Sequence, residues 1–307
     1  MQLIKDYLVR LGPDNSLVRI ALRLHARRRG YEIEFANGAI MLRKTGTEMV
    51  LSKEQYVQVP IMMECYDLFF NTIEGETCGN RKVLNFSKPN LHRYIRSQVE
   101  LYFPSIPEDD VMDAYTHCYR PGPGDTVWDA GAHAGATSYF LAQMVGPDGK
   151  VFAFEPDDLN YEYLTRNIQM HALRNVFAVK KALAGVTGTA EFSMDGTMSS
   201  GLSEYLVYSN KRHFKTVQTI SFADACADLG AVPKYVKMDI EGAEVATIEN
   251  SQSFLKENPV QFAIESYHRI NGELTCKALE SLFSGIGYDV RSSDKFGQMF
   301  TWASPRS

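Results

Sequence analysis

The stretch Val127–Ser138 (VWDAGAHAGATS) contains an aspartate, a histidine and two glycines within seven residues, types that can bind a charged or sugar-containing ligand. Asp129 ends an apolar run, and Gly131, His133 and Gly135 follow at alternate positions. Glycine has no Cβ, so the backbone can turn tightly there and a ligand can approach its N–H groups. We therefore interpret this stretch as a strand-to-helix turn that binds a ligand, although a glycine-rich turn alone is a weak signal.

A second acidic residue indicates that the ligand contains a nucleoside. Glu155 ends the apolar run VFAFE, twenty residues after Gly135, and we assign the adjacent Pro156 to the same site. At about that distance from a glycine turn, a carboxylate can accept hydrogen bonds from both hydroxyls of a ribose. NAD and S-adenosylmethionine both contain such a ribose, so both fit at this point.

The residues inside the turn favour S-adenosylmethionine over NAD. Dinucleotide-binding turns have the pattern GxGxxG, in which the glycines admit a pyrophosphate. The same frame, read from Gly131, is GAHAGA, with His133 and Ala136 in place of the second and third glycines. The carboxylate of Asp129 beside the turn suits the sulfonium and ammonium charges of S-adenosylmethionine better than it suits a diphosphate.

Ionisable residues also end two later apolar runs. Asp239 follows YVKM, and Lys237 lies two residues earlier, on the same face of a strand, where it could pair with Asp239. His268 comes soon after QFAIE, and a histidine near its reference pKa of about 6.5 is a natural base. We take Asp239, Lys237 and His268 as the candidate catalytic residues that would handle the proton of a methyl acceptor.

Several acidic residues could instead serve a metal ion or the end of a helix. Asp239, Glu265 and His268 could together bind a divalent metal, but no second adjacent ligand pair supports this, and we predict no metal site. Glu244 lies where a carboxylate complements the positive end of a helix dipole. Asp157 is interpreted as a helix N-cap in preference to a ribose ligand.

The elements that would position these residues alternate from about residue 108 onward. The predicted strands are DTVWDA, VFAFEP, NVFAVKKAL, YVKMDI and VQFAIES. Helices are predicted over EDDVMDAYTHCYRPGPG, Ala136–Met144, Leu159–Met170 and Ala243–Phe254. Such alternation predicts a mostly parallel sheet with helices on both faces, and ligands of such sheets bind outside the carboxyl ends of the strands.

The first hundred residues have a different pattern. Apolar and polar residues alternate around Asn37-Gly38 and Thr45-Gly46, which predicts hairpins. The apolar and aromatic segment at 56–75 could be a strand or a helix. The first twelve residues, MQLIKDYLVRLG, predict a short amphipathic helix.

The basic cluster RLHARRRG, Arg23–Gly30, is interpreted as a solvated helix face in preference to a site for an anionic partner. We divide the chain into an N-terminal α+β extension, residues 1–107, which would bind the acceptor or oligomerise, and a cofactor-binding domain, residues 108–307.

Composition excludes some classes of protein. The formal net charge of -5 argues against a general nucleic-acid partner, which calls for a basic excess. No apolar run approaches the roughly 20 residues of a membrane span, so no stable membrane insertion is expected. Five scattered cysteines without a CxxC pair are typical of free thiols in a reducing compartment. We therefore expect a cytoplasmic protein.

Five motifs in this order resemble the FkbM-type S-adenosylmethionine-dependent methyltransferases: DTVWDAGAHAGATS, VFAFEPDDLNYEYLTRNI, NVFAVKKALAG, YVKMDIEGAE and QFAIESYH. The resemblance covers about residues 110–302, and KMDIEGAE is its most specific element. His133 stands where the wider class I methyltransferases have a glycine, and FkbM-like proteins usually have asparagine or histidine there.

The resemblance implies an α/β class I methyltransferase fold. This fold is Rossmann-like, with a mostly parallel seven-stranded sheet whose last strand is antiparallel; GYDVR and QMFTWA would form its final hairpin. The implied reaction is O-methylation of a hydroxyl on a sugar, glycan or natural product. An N- or carboxyl-methyltransferase acting on a peptide or small molecule is the alternative, and an NAD-dependent oxidoreductase a weaker one.

The resemblance also assigns roles to residues in this chain. Asp129 would lie near the methionine end of the cofactor and Glu155 would hold the ribose, while the remaining cofactor contacts would come from Gly131, Ala132, His133, Gly135, Pro156, Lys181, Ala182 and Asp239. Lys181 and Ala182 would flank the adenine. The segment at 193–218 is rich in serine and glycine and is predicted to be a mobile loop over the site. The identity of the acceptor and the oligomeric state do not follow from the sequence.

Overall fold

The computed structural model of the chain describes residues 11–108, 112–193, 214–270 and 272–306. The chain divides into two units, residues 1–109 and residues 110–307. Residues 1–10 of the predicted N-terminal helix and most of the predicted loop at 193–218 lie outside the described residues. No helix among the described residues is long and apolar enough to span a bilayer.

The first unit is built on a five-stranded sheet in the order β1-β2-β3-β5-β4. Its strands, with the separate pair β6 and β7, are β1 (Glu32–Ala36), β2 (Ala39–Lys44), β3 (Thr47–Ser52), β4 (Glu76–Cys78), β5 (Arg81–Asn85), β6 (Asn90–Arg93) and β7 (Glu100–Phe103). Its helices are α1 (Ser16–Arg28), a 3₁₀ helix (Lys53–Gln58), α2 (Val59–Glu64) and α3 (Tyr66–Thr72).

The predicted hairpins are present in this unit. Asn37 and Gly38 have φ values of 52° and 73° and join β1 to β2, and Gly46, with φ 73°, lies between β2 and β3. Asparagine and glycine tolerate the left-handed φ that such short turns require. The segment at 56–75, which the sequence left open, is largely helical, since α2 and α3 bury Met62, Tyr66 and Phe69 in the core of this unit.

The second unit is built on a seven-stranded sheet in the order β10-β9-β8-β14-β15-β19-β18. The strands of this unit are β8 (Thr126–Ala130), β9 (Lys150–Phe154), β10 (Val176–Val179), β11 (Ala182–Leu183), β12 (Gly188–Ser193), β13 (Phe214–Ile220), β14 (Tyr235–Met238), β15 (Gln261–Glu265), β16 (Arg269–Ile270), β17 (Glu273–Leu274), β18 (Tyr288–Ser293) and β19 (Phe300–Pro305). In the large sheet β19 runs antiparallel to both of its neighbours, β15 and β18, and the other neighbouring strands pair in parallel. The predicted class I methyltransferase fold, with its final antiparallel hairpin, is confirmed.

Helices cover both faces of this sheet. They are α4 (Met112–Tyr115), α5 (Ala136–Val145), α6 (Asp158–Met170), α7 (Phe222–Leu229), α8 (Glu244–Glu257) and α9 (Thr275–Gly285). Successive strand residues point to opposite faces. Trp128 therefore packs in one core with residues of α7, α8 and α9, while its neighbour Val127 packs in another with residues of α4, α5 and α6.

Two predicted elements are shorter than expected. The predicted helix over EDDVMDAYTHCYRPGPG is described only from Met112 to Tyr115, and the backbone carbonyl of Tyr115 accepts a hydrogen bond from the Tyr235 hydroxyl at 2.9 Å. The predicted third strand, NVFAVKKAL, ends at Val179, and Ala182 begins a short strand of a different, three-stranded sheet, β11-β13-β12. Tertiary contacts override local periodicity at both places.

Candidate active site

The backbone of the turn after β8 is left-handed at three positions. Gly131, His133 and Gly135 have φ values of 79°, 47° and 88°, in the left-handed region. A Cβ on Gly131 would lie 1.8 Å from the backbone oxygen of Asp239. No L side chain fits that gap, so glycine at this position lets the ends of β8 and β14 touch.

Gly135 has a different neighbour. A Cβ at this position would lie 2.6 Å from Cδ1 of Leu164, on α6. Glycine at this position therefore also lets the turn pack against a helix. Sequence reasoning assigned Gly135 to the approach of a ligand and did not include this packing.

Glu155, at the end of β9, is held by the same turn. Its two carboxylate oxygens accept hydrogen bonds from the backbone N–H groups of His133 and Asp157, each at 2.8 Å. The side chain is almost wholly buried, and burial raises the pKa of Glu155 to about 8. The prediction for Asp157 is confirmed: it is the N-cap of α6 and accepts hydrogen bonds from the backbone N–H groups of the first turn.

The strand ends line a cleft that is partly open to solvent. Five predicted cofactor residues line this cleft: Gly131, Glu155, Pro156, Ala182 and Asp239. Four apolar residues that sequence reasoning missed complete its lining: Phe154, Leu183, Phe192 and Ile240. Phe154 and Ile240 are direct chain neighbours of predicted residues, whereas Phe192 lies on β12, where no motif marked it.

The chemistry of the cleft fits S-adenosylmethionine. A carboxylate that lies at the strand end suits the ribose hydroxyls, and apolar walls suit an adenine ring. The left-handed turn at Gly131 keeps one side of the cleft free of a side chain.

Asp129 and Lys237 form a buried ion pair beneath the turn. The two residues are in register on the neighbouring strands β8 and β14, and Lys237 Nζ lies 3.2 Å from Asp129 Oδ1. The ammonium also donates to the backbone oxygen of Gly131 at 2.7 Å, and Asp129 Oδ2 accepts a hydrogen bond from the Ser138 hydroxyl at 2.6 Å. Sequence reasoning placed Lys237 with Asp239 and Asp129 with the cofactor's ammonium group, and it missed this cross-strand pair because strand register does not follow from one sequence.

Four ionisable residues meet where β14 and β15 end. His268 Nε2 lies 3.2 Å from Glu241 Oε2, and His268 Nδ1 lies 3.4 Å from Glu244 Oε1. Asp239, Glu241 and His268 each offer one possible metal-ligand atom, and these three atoms lie within 4.8 Å of one another. Glu244 is fully buried and accepts hydrogen bonds from the backbone N–H groups of Ile240 and Gly242.

These contacts change the expected ionisation of His268. Burial alone would lower the pKa of its imidazole, but the negative charges of Glu244, Glu241 and Asp239 raise it to about 10. The expectation of a histidine near its reference pKa of 6.5 is therefore wrong. Burial raises the pKa of Glu241 to about 7, and Glu241 also has a left-handed φ of 56°, which costs a residue other than glycine about 1 kcal/mol.

Glu265, which sequence reasoning placed in the same cluster, has its hydrogen-bond partners elsewhere. Glu265 accepts hydrogen bonds from the Tyr115 hydroxyl and, at 2.9 Å, from the side-chain amide of Gln298, so Glu241 takes the place beside Asp239 and His268 that sequence reasoning gave to Glu265.

Lys181 forms an ion pair of 2.9 Å with Asp228 on α7, whereas the next residue, Ala182, lines the cleft. Ala132 and His133 are buried within the turn itself.

Solved structures of methyltransferases are similar to the chain at low identity. An FkbM methyltransferase from Methylobacillus flagellatus KT matches with 16% identity and a TM-score of 0.44 over 61% of this chain and 45% of that one, so the chain spans less than half of that protein. A precorrin-6y C5,15-methyltransferase from Geobacter metallireducens GS-15 matches with 15% identity and a TM-score of 0.43 over 66% and 90% of the two chains.

The fibrillarin of Aeropyrum pernix, solved with natively bound S-adenosyl-L-methionine, matches with 12% identity and a TM-score of 0.42 over 89% and 97% of the two chains. No curated protein matches the sequence.

The family assignment rests on a match between this sequence and the model of one protein family. The model described as "Methyltransferase FkbM domain" matches residues 129–300, from the acidic residue at the end of β8 to the first residue of β19. This match covers more than half of the chain and includes the turn, Glu155 and the cluster at the ends of β14 and β15. The chain is therefore a member of the FkbM family of S-adenosylmethionine-dependent methyltransferases.

Proposed function

We propose that the protein methylates a hydroxyl oxygen of a sugar, a glycan or a natural product. The observation that supports this proposal is the cluster of Asp239, Glu241 and His268, of which Asp239 lines the cleft. An alcohol oxygen loses its proton as it is methylated, and a group that removes this proton contributes about 10²–10⁴-fold to such a reaction. A cluster rich in carboxylates beside the cofactor cleft suits that requirement.

Separate parts of the cleft would hold the cofactor. Glu155 would accept hydrogen bonds from the ribose hydroxyls, and Leu183, Phe192 and Ile240 would contact the adenine. When bound, S-adenosylmethionine supplies an electrophilic methyl group on a positively charged sulfur.

Asp239 is the residue best placed to act on the acceptor. It lines the cleft, and its Oδ1 atom is buried and has no hydrogen-bond partner among the described residues. A buried carboxylate oxygen without a donor is costly, so an acceptor hydroxyl that donates to it would be bound and oriented. Lys237 would act as a positioning residue, because its ammonium holds the carbonyl of Gly131 and the carboxylate of Asp129.

We extend the proposal to the N-terminal unit and to the cellular compartment. We assign acceptor binding or oligomerisation to the N-terminal unit, which lies outside the matched residues 129–300. The five cysteines, all in the described part of the chain, form no disulfide, as a reducing compartment such as the cytoplasm favours.

Methyl transfer from labelled S-adenosylmethionine to panels of sugars, glycans and metabolites tests the proposal. We expect a product whose methyl group survives mild base, since ethers are stable there and methyl esters are not, and whose methyl carbon has the chemical shift of an O-methyl group. Asp239→Asn should lower kcat by at least about 10²-fold, and the exposed Asp294→Asn should behave as wild type. An N-methylated or base-labile product would refute methylation of a hydroxyl and support the alternative acceptors.

A further inference from the structure

We propose that Asp239, Glu241 and His268 bind a divalent metal ion at the edge of the cofactor cleft. One donor atom from each residue lies within 4.8 Å of the others. Donors that each lie about 2.0–2.2 Å from one ion are at most about 4.4 Å apart, so the three side chains need to move by only a few tenths of an ångström.

The three ligands come from elements that the sheet holds in place. Asp239 follows β14 directly, and its backbone N–H donates to the carbonyl of Ala130 on the neighbouring strand at 3.0 Å. Glu241 lies two residues later, in a turn with left-handed φ. His268 follows β15, the strand that pairs with β14. Adjacent parallel strands therefore bring two carboxylates and one imidazole to the same edge.

Glu244 provides a second and independent observation. It is fully buried, and two backbone N–H groups hold its Oε1 atom 3.4 Å from His268 Nδ1. Histidines that bind metals almost always present the second ring nitrogen to a carboxylate or carbonyl, which fixes the tautomer and the ring orientation. His268 has this arrangement, with Nδ1 towards Glu244 and Nε2 towards Glu241.

The charge of the cluster also calls for a cation. Asp239, Glu241 and Glu244 surround one imidazole, and in the described part of the chain the ion pairs of Glu241 and Glu244 are both with His268. Asp239 Oδ1 and Glu244 Oε2 are buried and accept no hydrogen bond among the described residues. Two carboxylates and an imidazole form a mixed oxygen and nitrogen donor set, which suits a first-row ion such as Mn²⁺ or Zn²⁺ better than Ca²⁺.

Sequence reasoning predicted no metal because it found no second adjacent ligand pair beside Asp239, Glu265 and His268. In the structure Glu265 is engaged by Tyr115 and Gln298, and Glu241 lies beside Asp239 and His268 instead. The existence of the site does not depend on the acceptor. Its role rests on the proposed function: an ion at this position would bind the acceptor oxygen and make its proton easier to remove.

Binding of Mn²⁺ to the full chain, freed of metal by a chelator, tests the site without any turnover. The signal of free aqueous Mn²⁺ in electron paramagnetic resonance falls as the ion binds, and calorimetry gives the stoichiometry. We expect one ion per chain, with binding weakened at least about tenfold by Glu241→Gln and about 10–100-fold by Glu244→Gln, which removes the negative charge beside the imidazole. Glu249→Gln, an exposed change on the same helix as Glu244, should bind Mn²⁺ as wild type does.

The outcomes separate this proposal from the proposed function. Absence of Mn²⁺ binding, or binding that Glu241→Gln and His268→Gln leave unchanged while the variants keep their circular dichroism and S-adenosylhomocysteine affinity, would overturn the metal site and leave O-methylation standing. Conversely, Mn²⁺ binding together with an N-methylated product would support the site and overturn the proposed function. If a variant unfolds, His268→Asn provides a smaller replacement that removes the same ligand.

Discussion

Replacing Glu155 by glutamine should change how folding stability depends on pH and should weaken cofactor binding at high pH. Burial raises the pKa of this carboxyl from 4.5 to about 8. Between these two pH values the folded protein keeps a proton on Glu155 that the unfolded chain has lost. The contribution of this proton to stability is therefore complete below pH 4.5, and it is lost as the pH rises towards 8. At about 1.4 kcal/mol per tenfold change in an equilibrium constant, the loss amounts to about 5 kcal/mol as an upper limit. Glutamine does not titrate and removes this pH dependence.

Cofactor affinity should change with pH in the opposite direction. Ribose hydroxyls donate to the ionised carboxylate, and a hydrogen bond to a charged group is worth about 1.5–3 kcal/mol. The affinity of the wild type for S-adenosylhomocysteine should therefore rise as the pH increases through about 8. Glu155→Gln keeps one acceptor oxygen, and its affinity at high pH should be about 10–100-fold weaker, with less dependence on pH.

Urea denaturation and calorimetric titration from about pH 5 to about pH 9 measure both effects. The same ligand is used with both proteins, so the ligand's own titration cancels in the ratio of their affinities. Glu162→Gln, an exposed change on α6, is the matched control. Parallel stability curves for wild type and Glu155→Gln, together with equal affinities at about pH 8.5, would refute the reasoning.

Three other substitutions test the parts that position the cleft. Gly131→Ala would bring a Cβ to 1.8 Å from the backbone oxygen of Asp239, and we expect a loss of about 3 kcal/mol or more in unfolding free energy; a variant with normal melting temperature and S-adenosylhomocysteine affinity would contradict the close contact. Lys237→Met leaves the carboxylate of Asp129 buried without its ion-pair partner and should cost about 3–5 kcal/mol in urea denaturation, whereas a loss below about 1 kcal/mol would argue against the buried pair. Asp157→Ala removes a helix cap and should lower stability by about 1 kcal/mol with S-adenosylhomocysteine affinity unchanged, so a large loss of affinity would instead assign Asp157 to the ribose.

The sequence predicted the sheet because its periodicity is local. In the second unit β8, β9 and β14 are short apolar runs that each lead directly into a helix, and such alternation leaves few possible topologies. The carboxyl ends of parallel strands converge on one edge, which is why residues far apart in the chain, Gly131, Glu155, Ala182 and Asp239, could be placed at one cleft before the structure was known.

Other features depend on contacts that a single sequence does not contain. The partner of Lys237 is decided by the register between β8 and β14, and that register places it opposite Asp129. Glu241 lies in a turn with a left-handed φ, and its contact with His268 is carried by no sequence motif. Phe192 lines the cleft from β12, which belongs to a separate small sheet outside the main alternation of strands and helices. Such residues carry no motif, and tertiary packing alone brings them to the site.

The near-contact between Gly131 and the carbonyl of Asp239 has a consequence for anyone who wishes to redesign the donor specificity of this enzyme. That side of the cavity is main chain against main chain, so no choice of amino acid can enlarge it. Leu183 and Phe192 also line the cleft, and smaller residues could replace their side chains. Room for a donor analogue with a bulkier purine would therefore have to be made by trimming those side chains, leaving the glycine turn intact.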